Sequence, residues 1–278
     1  MSQPSLDIHS LLKRYGITPK KSLGQNFLIS HIALKQIVQA ANLTNQDAVL
    51  EIGAGVGNLT RLLAAHALRV VAVEIDSRML PPLEEVLQGF QNVKIVHGDI
   101  LKLSPKDLGL TAGYKVVANI PYYITSALMR HLLETHPQPN LMVVTVQSDV
   151  AKRMCAVPND MNLLALSIQV YGFPSIIGNI AAASFYPPPS VDSSIVSIQM
   201  FGEPVMPEAQ VDTFFRLAKA GFSQKRKTLR NSISAGLRIS TTEAGKMLEE
   251  SGIDPMRRAE TLSLSEWKNL TEKFSHPL

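Results

Sequence analysis

The stretch Glu51-Ile-Gly-Ala-Gly-Val-Gly-Asn58 follows a short apolar run and precedes a segment with helical periodicity. Glycines at a strand-to-helix turn let the backbone approach a ligand closely, because no Cβ stands in the way. A dinucleotide fingerprint requires glycines at relative positions one, three and six, whereas here position six is Asn58. The spacing therefore indicates a nucleoside ligand without phosphate, such as S-adenosylmethionine. An ordinary glycine-rich turn is the alternative.

Outward from this loop, apolar periodicity predicts alternating strands and helices, which is typical of a mostly parallel α/β sheet with helices on both faces. Two later strand candidates, 175–181 and 194–200, have no long helix between them and predict an antiparallel hairpin at one edge of the sheet. The other predicted strands are 48–52, 69–74, 93–96, 115–118 and 141–147, and the intervening helices include 32–41, 59–67 and 79–87.

After Gly202-Glu203-Pro204 the pattern becomes helical, which predicts a catalytic domain over residues 1–204 and a small all-α domain over 205–278. The predicted helices of the second domain are 207–220, 225–236, 241–251 and 263–274, and Ser263 and Glu266 have the spacing of a capping box. Residues 219–238 contain six Lys or Arg and no acidic residue. This distribution indicates a nucleic-acid partner more strongly than the net charge of +4 does.

Composition excludes several classes of protein. The 278 residues are 45% hydrophobic and 18% charged, which is typical of a globular chain and not of a disordered one. The single cysteine, Cys155, excludes an intrachain disulfide and a cysteine zinc cluster. No apolar run approaches the roughly 18 residues of a membrane span, and the first 15 residues lack the apolar core of a signal peptide. We therefore expect a cytoplasmic protein without a membrane partner.

Polar residues follow three predicted strands. Glu74 ends the second strand, where a carboxylate can accept hydrogen bonds from both ribose hydroxyls, with a solvated acid as the alternative. Asp99 can accept from an adenine amino group, although a helix cap is an equal alternative. Asn119-Ile-Pro-Tyr-Tyr123 offers an amide acceptor for an amino group and rings that stack on a base, with a β-turn as the alternative.

With these motifs the chain resembles the small-subunit rRNA adenine N6,N6-dimethyltransferase family. The resemblance runs in family order from about residue 20 to 262, and its late segments are the more specific ones. The matching segments are Leu23-Gly-Gln-Asn-Phe-Leu28, Glu51 to Gly57, Val73-Glu-Ile-Asp76, Gly98-Asp-Ile-Leu101, Asn119 to Thr125, Phe185 to Ser193, Phe222 to Asn231 and Gly252 to Glu260. The chain departs from the family at Met161-Asn-Leu-Leu-Ala-Leu-Ser167, so we carry over no RNA contact from that segment.

The resemblance implies a Rossmann-like class I methyltransferase that dimethylates N6 of two adjacent adenosines in a hairpin loop near the 3′ end of small-subunit rRNA. The expected partner is that rRNA within a pre-assembled small ribosomal subunit, and the protein is expected to be monomeric. The implied cofactor is S-adenosylmethionine, and no metal is needed. The implied cofactor-binding residues are Asn26, Leu28, Gly53, Glu74, Asp99 and Asn119. Asn119 is also implied to hold the target amino group, while Tyr122 and Phe185 sandwich the flipped target base.

The basic cluster Lys225, Arg226, Lys227 and Arg230 is predicted to lie on a helix and to bind RNA phosphates, which position RNA without reading its sequence. A solvated basic face is the alternative.

His97 and His131 lie near the motifs, but we expect both to be structural or surface residues. Three rival functions remain: an erythromycin-resistance type methyltransferase of large-subunit rRNA, a nucleotide-dependent oxidoreductase, and a non-catalytic ribosome-assembly factor.

Overall fold

The computed structural model describes residues 6–121 and 124–275, and it divides into two compact units. The first unit comprises the chain up to Ala151 together with Pro174–Met200, and the second comprises Lys152–Phe173 and everything after Met200. The division predicted from the sequence, at residue 204, differs from this one in that it assigns residues 152–173 to the first domain. The segment 152–173 joins the second unit because its Val170 carbonyl accepts a hydrogen bond from Val205 N, and its Asn159 N donates to the carbonyl of Glu260.

A seven-stranded sheet forms the centre of the first unit, in the order β4-β3-β2-β5-β6-β9-β7. Strands β2 to β6 are parallel, β9 runs antiparallel to β6, and β7 is the edge strand beyond β9. The predicted fold class, with its antiparallel edge, is confirmed. The strands of the sheet are β2 (Ala48–Ile52), β3 (Arg69–Glu74), β4 (Val93–His97), β5 (Lys115–Asn119), β6 (Leu141–Gln147), β7 (Gly172–Ile180) and β9 (Ser193–Met200).

The inner parallel strands are buried on both faces, which explains their nearly continuous apolar sequences. On one face, Leu34, Ile37 and Leu63 from two helices pack over Val49 and Val117. The helices between the strands are α2 (His31–Ala41), α3 (Thr60–Ala64), α4 (Leu80–Val86), α5 (Thr125–Glu134) and α6 (Ser148–Met154), and α1 (Ile8–Arg14) precedes them. The parallel order places the carboxyl ends of β2, β3 and β5 at one edge of the sheet, where ligands bind in such folds.

A second, two-stranded ribbon links the N-terminal segment to a loop that is distant in the sequence. β1 (Phe27–Leu28) pairs antiparallel with β8 (Phe185–Tyr186), so that Leu28 lies opposite Phe185. Ile29 N extends the pairing by donating to the carbonyl of Ser184 at 2.8 Å. The ribbon therefore holds the segment around Asn26 beside Phe185.

The described helices of the second unit are α7 (Leu163–Gln169), α8 (Glu208–Phe222), α9 (Leu229–Leu237), α10 (Thr241–Glu250) and α11 (Leu264–Ser275). Trp267 of α11 is fully buried, and its ring stacks on Phe222 with the centroids 5.8 Å apart. The predicted capping box before α11 is present, since Ser263 N donates to the Glu266 carboxylate and Glu266 N donates to the Ser263 hydroxyl. A second box joins Ser240 and Glu243 at the start of α10.

One prediction about this unit is wrong. The helix expected over 225–236 begins only at Leu229, so Lys225, Arg226 and Lys227 lie in the turn before α9, and only Arg230 is on the helix. The cause is the backbone of Thr228, which is extended at φ −63° and ψ 155°. Leu229 N meanwhile donates to the carbonyl of Arg257 at 2.6 Å, which fixes the start of the helix through a contact distant in the sequence.

The packing of α8 against α9 depends on Gly236. A Cβ at this position would lie 2.6 Å from the Cα of Ala220, which is backbone and cannot turn away. We predict that Gly236→Ala destabilises the second unit by about 1–3 kcal/mol, the usual cost of overpacking a core. Denaturant unfolding followed by Trp267, the only tryptophan, reports on this unit.

Gly245→Ala is the matched control, because its Cβ would meet nothing closer than 3.5 Å and alanine favours a helix by about 1 kcal/mol. The packing account fails if Gly236→Ala is as stable as Gly245→Ala.

Candidate active site

The glycine loop after β2 has the backbone that the sequence predicts. Gly53, Gly55 and Gly57 all have positive φ, at 75°, 56° and 84°. A Cβ on Gly55 would lie 3.0 Å from the Phe27 ring, and one on Gly57 would lie 2.9 Å from Leu83. Side chains at positions 55 and 57 would therefore clash with Phe27 and Leu83. The amide groups of Gly53 and Gly55 donate hydrogen bonds to the end of β3.

Glu74 at the end of β3 holds this loop. Its Oε2 accepts a hydrogen bond from Gly55 N at 2.7 Å, and its Oε1 accepts from Asp76 N at 2.8 Å. Burial raises the pKa of Glu74, and these two amide donors oppose the rise by stabilising the charged form. A carboxylate has about four lone-pair positions, so both oxygens keep capacity for further donors such as ribose hydroxyls.

One cavity at the carboxyl edge of the sheet brings most of the predicted site residues together. Its empty space is about 870 Å³, including the part that opens to solvent. Six predicted residues line it: Asn26, Leu28, Gly53, Glu74, Asn119 and Phe185. Asp99 does not, and its carboxylate instead accepts from Leu101 N at 3.1 Å as the cap of a 3₁₀ turn. Tyr122 lies outside the described residues.

The side chain of Asn119 has a defined orientation. Its Nδ2 donates to the carbonyl oxygen of Asn26 at 3.1 Å, and a carbonyl partner identifies the amide nitrogen because it can only accept. Asn26 is in turn held by its own Nδ2, which donates to the carbonyl of Gly24 at 3.3 Å. The Asn119 Oδ1 is thereby left as the acceptor that the side chain can offer to a ligand.

Phe185 is buried in the apolar cluster that contains Leu28, Leu34 and Ile180, and it also lines the cavity. A hydrophobic plug and a stacking surface for a base are both compatible with this position.

His97 and His131 do not line the cavity, and a ring nitrogen of His131 lies 2.9 Å from the carbonyl of Leu103. These positions agree with the structural or surface roles expected for both histidines.

Glu51 was not among the site residues predicted from the sequence, yet it lines the cavity and is buried. Its side chain is 1% exposed, and its Oε2 has no hydrogen-bond partner among the described residues. Burial, the principal cause, raises the pKa of Glu51 to about 8; the charge of Glu74 adds to the rise, and the nearby Thr60 hydroxyl opposes it. A glutamate inside the apolar strand Val49-Leu50-Glu51-Ile52 was the only indication available from the sequence.

Asn58 was also missed as a site residue. Its buried Nδ2 donates to the carbonyl of Leu28 at 2.8 Å, which ties the glycine loop to β1. The residue that breaks the dinucleotide fingerprint therefore has a positive structural role, since it holds the ribbon that bears Leu28 and Phe185.

In the second unit, Lys225, Arg226 and Lys227 are exposed on the turn before α9, whereas Arg230 is half-buried and its Cδ lies near Gly245 of α10. Three of the four residues predicted to bind phosphate are thus exposed to solvent.

Within residues 6–121 and 124–275, no three His, Cys, Asp or Glu side chains are grouped so as to hold a metal ion. Every helix in the same residues is too short or too polar to cross a bilayer.

The buried Glu51 generates a prediction about pH. Its pKa of about 8 in the folded protein exceeds the ordinary 4.5, so between these values the folded state holds a proton that the unfolded state has released. The free energy of unfolding of the wild type therefore falls as the pH rises through that window, because the unfolded state ionises Glu51 there and the folded state does not. We predict that Glu51→Gln, which does not ionise, gains stability relative to the wild type between pH 5 and pH 8.5, by on the order of 2 kcal/mol or more.

Denaturant unfolding followed by circular dichroism at both pH values measures this difference, and Glu84→Gln at an exposed position of α4 controls for the loss of a carboxylate. Parallel pH dependences of the wild type and Glu51→Gln would mean that Glu51 is ionised in the folded protein.

Comparison with known proteins agrees with the resemblance found in the sequence. The profile of the family described as "Ribosomal RNA adenine dimethylase" matches residues 16–274. A protein named ribosomal RNA small subunit methyltransferase A from Dehalococcoides mccartyi (strain BAV1) is 46% identical over 277 residues, covering 99% of this chain and 95% of that protein. One of the same name from Pelotomaculum thermopropionicum is 41% identical over 283 residues, covering 96% and 95%.

Solved structures agree as well. A dimethyladenosine transferase from Plasmodium falciparum superposes with a TM-score of 0.77 at 26% identity, covering 90% of this chain and 97% of the other. The 23S rRNA methyltransferase ErmE superposes with a TM-score of 0.74 at 26% identity, covering 90% and 100%. Since the family profile spans nearly the whole chain, this protein belongs to the ribosomal RNA adenine dimethylase family and is an S-adenosylmethionine-dependent methyltransferase.

Proposed function

We propose that this protein dimethylates N6 of two adjacent adenosines in a hairpin loop near the 3′ end of small-subunit rRNA. We also propose that its substrate is the pre-assembled small subunit and that it acts as a monomer in the cytoplasm. The observation that carries the proposal is the fixed amide of Asn119, which lines the same cavity as the glycine loop and Glu74. The small-subunit name of the 46% identical relative supports this rRNA as the substrate.

The residues of the cavity fit S-adenosylmethionine. Glu74 retains acceptor capacity for two ribose hydroxyls, and Gly53 leaves room for a ligand because the nearest atom to its missing Cβ is the Asn119 carbonyl oxygen, at 3.8 Å. The carboxylate of Glu74 suits a ligand with positive charge, and Glu51, whose Oε2 has no partner among the described residues, can ionise beside such a ligand. Asp99 remains the proposed partner of the adenine amino group, although it does not line the cavity. When bound, this cofactor supplies a methyl group that is already electrophilic.

Asn119 orients the nucleophile. The lone pair of adenine N6 is delocalised into the ring, so the amino group attacks poorly unless the nitrogen becomes tetrahedral. Hydrogen bonds from its two hydrogens to Asn119 Oδ1 and to a carbonyl near Ile120, which also lines the cavity, favour that geometry and direct the lone pair at the methyl group. Tyr122 and Phe185 are proposed to stack on the flipped base, which has to leave its own stack to enter the cavity.

The amide of Asn119 takes no proton, because it is neutral over the accessible pH range. The nitrogen that has received a methyl group is strongly acidic, and its proton leaves to water. The cavity-lining residues in the described chain include no histidine. Catalysis by Asn119 is therefore placement plus fixed dipoles, and the two carboxyl groups of the cavity, Glu51 and Glu74, are assigned no proton-transfer role.

The direct test is methyl transfer from radiolabelled S-adenosylmethionine to purified, unmodified small subunits, followed by mapping of the modified bases. Two dimethylated adjacent adenosines in the 3′ hairpin are expected. Large-subunit rRNA is the parallel substrate, because ErmE has a similar structure. Transfer to large-subunit rRNA alone would replace the proposal with the erythromycin-resistance activity, and binding without transfer would replace it with a non-catalytic assembly role.

For Asn119→Ala we predict a single-turnover methyl-transfer rate at least roughly 100-fold lower, the scale seen when one preorganised polar group is removed. Cofactor affinity should stay nearly normal because Glu74 is intact, and RNA binding should persist because the basic cluster is intact. The wild-type rate at saturation should show no ionisation near pH 6–7. A near-normal rate in Asn119→Ala, or such an ionisation that disappears in a His97 or His131 variant, contradicts this mechanism.

For the basic cluster we predict that replacing Lys225, Arg226, Lys227 and Arg230 by alanine weakens binding to all RNA sequences and flattens the salt dependence. Each lost phosphate contact should reduce the log–log slope by about one unit or less. The half-buried Arg230 should contribute least, so the triple variant that keeps it should resemble the quadruple variant. Filter binding at several salt concentrations measures the slopes, and an unchanged slope in the quadruple variant rejects the assignment.

A further inference from the structure

The N-terminal part of the first unit has an uneven distribution of charge. Residues 8–46 contain five Lys or Arg and no Asp or Glu. Arg14 forms an ion pair with Glu85, but Lys20, Lys21 and Lys35 are exposed and have no carboxylate within 4.0 Å in the described part of the chain. These three lysines therefore present positive charge that the rest of the described protein does not neutralise.

Two large apolar side chains are exposed in the same segment. Ile29 is 44% exposed and Ile32 is 73% exposed, although the residues on either side of them, Leu28 and Leu34, are buried and line the cavity. Ile32 and Lys35 are three residues apart on α2 and so share one face of the helix. An exposed apolar pair that borders a cavity and is accompanied by unpaired lysines is an unusual surface for a water-facing helix.

Backbone contacts attach these residues to the cavity. Lys20 N donates to the side chain of Gln25, which lines the cavity, and Gln25 Nε2 donates to Asp76 at 2.9 Å. This fixes the turn that bears Lys20 and Lys21. Ile29 N donates to the carbonyl of Ser184, the residue before Phe185. Both parts of the segment are therefore held at the wall of the cavity.

We propose that Lys20, Lys21, Ile29, Ile32 and Lys35, here called the N-terminal rim, form a second RNA-binding surface that contacts the nucleotides flanking the target adenosines. The lysines bind the phosphates of those nucleotides, and the isoleucines pack against the bases that lose their stacking partner when an adenosine enters the cavity. The inference rests on the proposed function, because only a flipped base obliges its neighbours to cross the wall of the cavity.

General physical reasons favour RNA as the occupant. Phosphate contacts position a nucleic acid, and an acid-free segment avoids repelling its backbone. Isoleucine is among the apolar residues that proteins insert at unstacked base steps, where it covers the exposed base faces. The rim combines both chemistries within 16 residues, and it adjoins Leu28 and Phe185 of the cavity that is proposed to receive the flipped base.

The charge of the rim is tested with Lys20→Ala/Lys21→Ala/Lys35→Ala against Lys94→Ala/Lys102→Ala/Lys106→Ala, which removes three exposed lysines from the same unit. The probe is an RNA hairpin with the sequence of the 3′ end of small-subunit rRNA. The rim variant should reduce the log–log salt slope by about 2 units, since each contact with unpaired RNA contributes about 0.7. The control should change the slope little, and cofactor affinity should be the same in both.

The apolar part is tested with Ile29→Ser/Ile32→Ser against Leu68→Ser, which alters an equally exposed apolar residue of the same unit. A 2-aminopurine next to the target adenosines reports unstacking by a rise in fluorescence. Wild type and Leu68→Ser should give this rise, and the isoleucine variant should not. The isoleucine variant should also have a single-turnover rate on unmodified small subunits that is at least about 10-fold lower, while its salt slope stays normal. A merely structural role for the isoleucines would leave the fluorescence change intact.

The outcomes separate this inference from the proposed function. If wild type methylates unmodified small subunits but the rim and control variants have equal salt slopes on the hairpin, the rim is not an RNA-binding surface although the function stands. If wild type methylates no small-subunit rRNA, the function fails, and the slopes still decide whether the rim binds RNA. A wild-type dimer in sedimentation that dissociates in Ile29→Ser/Ile32→Ser would assign the rim to self-association and overturn the inference.

Discussion

The two hydrogen bonds that Glu74 accepts from Gly55 N and Asp76 N are the constraint on which the cavity depends. They join the loop after β2 to the end of β3, and they hold a backbone path that only glycines adopt without strain at positions 53, 55 and 57. Asp76 is fixed from its other side by Arg78 and Gln25, and the Arg78 guanidinium lowers the pKa of Asp76 to about 2. Two carboxylates, those of Glu74 and Asp76, thus connect the loop, the strand end and the N-terminal segment.

This arrangement concentrates negative charge where the protein is most buried. Glu51 and Glu74 are 1% and 5% exposed, and burying two carboxyl groups in one place is costly unless one of them keeps a proton or a positive group comes between them. Glu74 has two amide donors, whereas Glu51 Oε2 has none among the described residues, so the proton belongs on Glu51. A ligand with positive charge, such as the sulfonium cofactor proposed for this cavity, offsets the same repulsion, so the cavity can accommodate both acids.

Asn119 links the N-terminal segment to the atoms that are proposed to react. Its amide nitrogen is bonded to the Asn26 carbonyl, and Asn26 precedes the ribbon in which Leu28 lies opposite Phe185. The acceptor oxygen proposed to hold N6 and the ring proposed to stack on the base are therefore set by one short segment. A displacement of residues 26–28 would move both groups together, so we propose that the segment affects the geometry of methyl transfer as well as cofactor binding.

Periodicity predicted the sheet well, because strands buried on both faces leave long apolar runs, and β2, β3 and β6 have the bounds that the sequence predicts. It failed where tertiary contacts decide the backbone. Helix α9 starts at Leu229 because the Arg257 carbonyl binds its amide, and nothing near Lys225 in the sequence reveals that contact. Glu51 was overlooked for a related reason, since a motif shows that a glutamate is present but not that its carboxyl lacks a partner. The later helix start bears on the proposed RNA contact, because Lys225, Arg226 and Lys227 are exposed on a turn and not on a helix, where they would be spaced about 100° apart around one axis. A turn of this kind can follow the irregular backbone of a hairpin loop, and a straight helix suits the groove of a duplex.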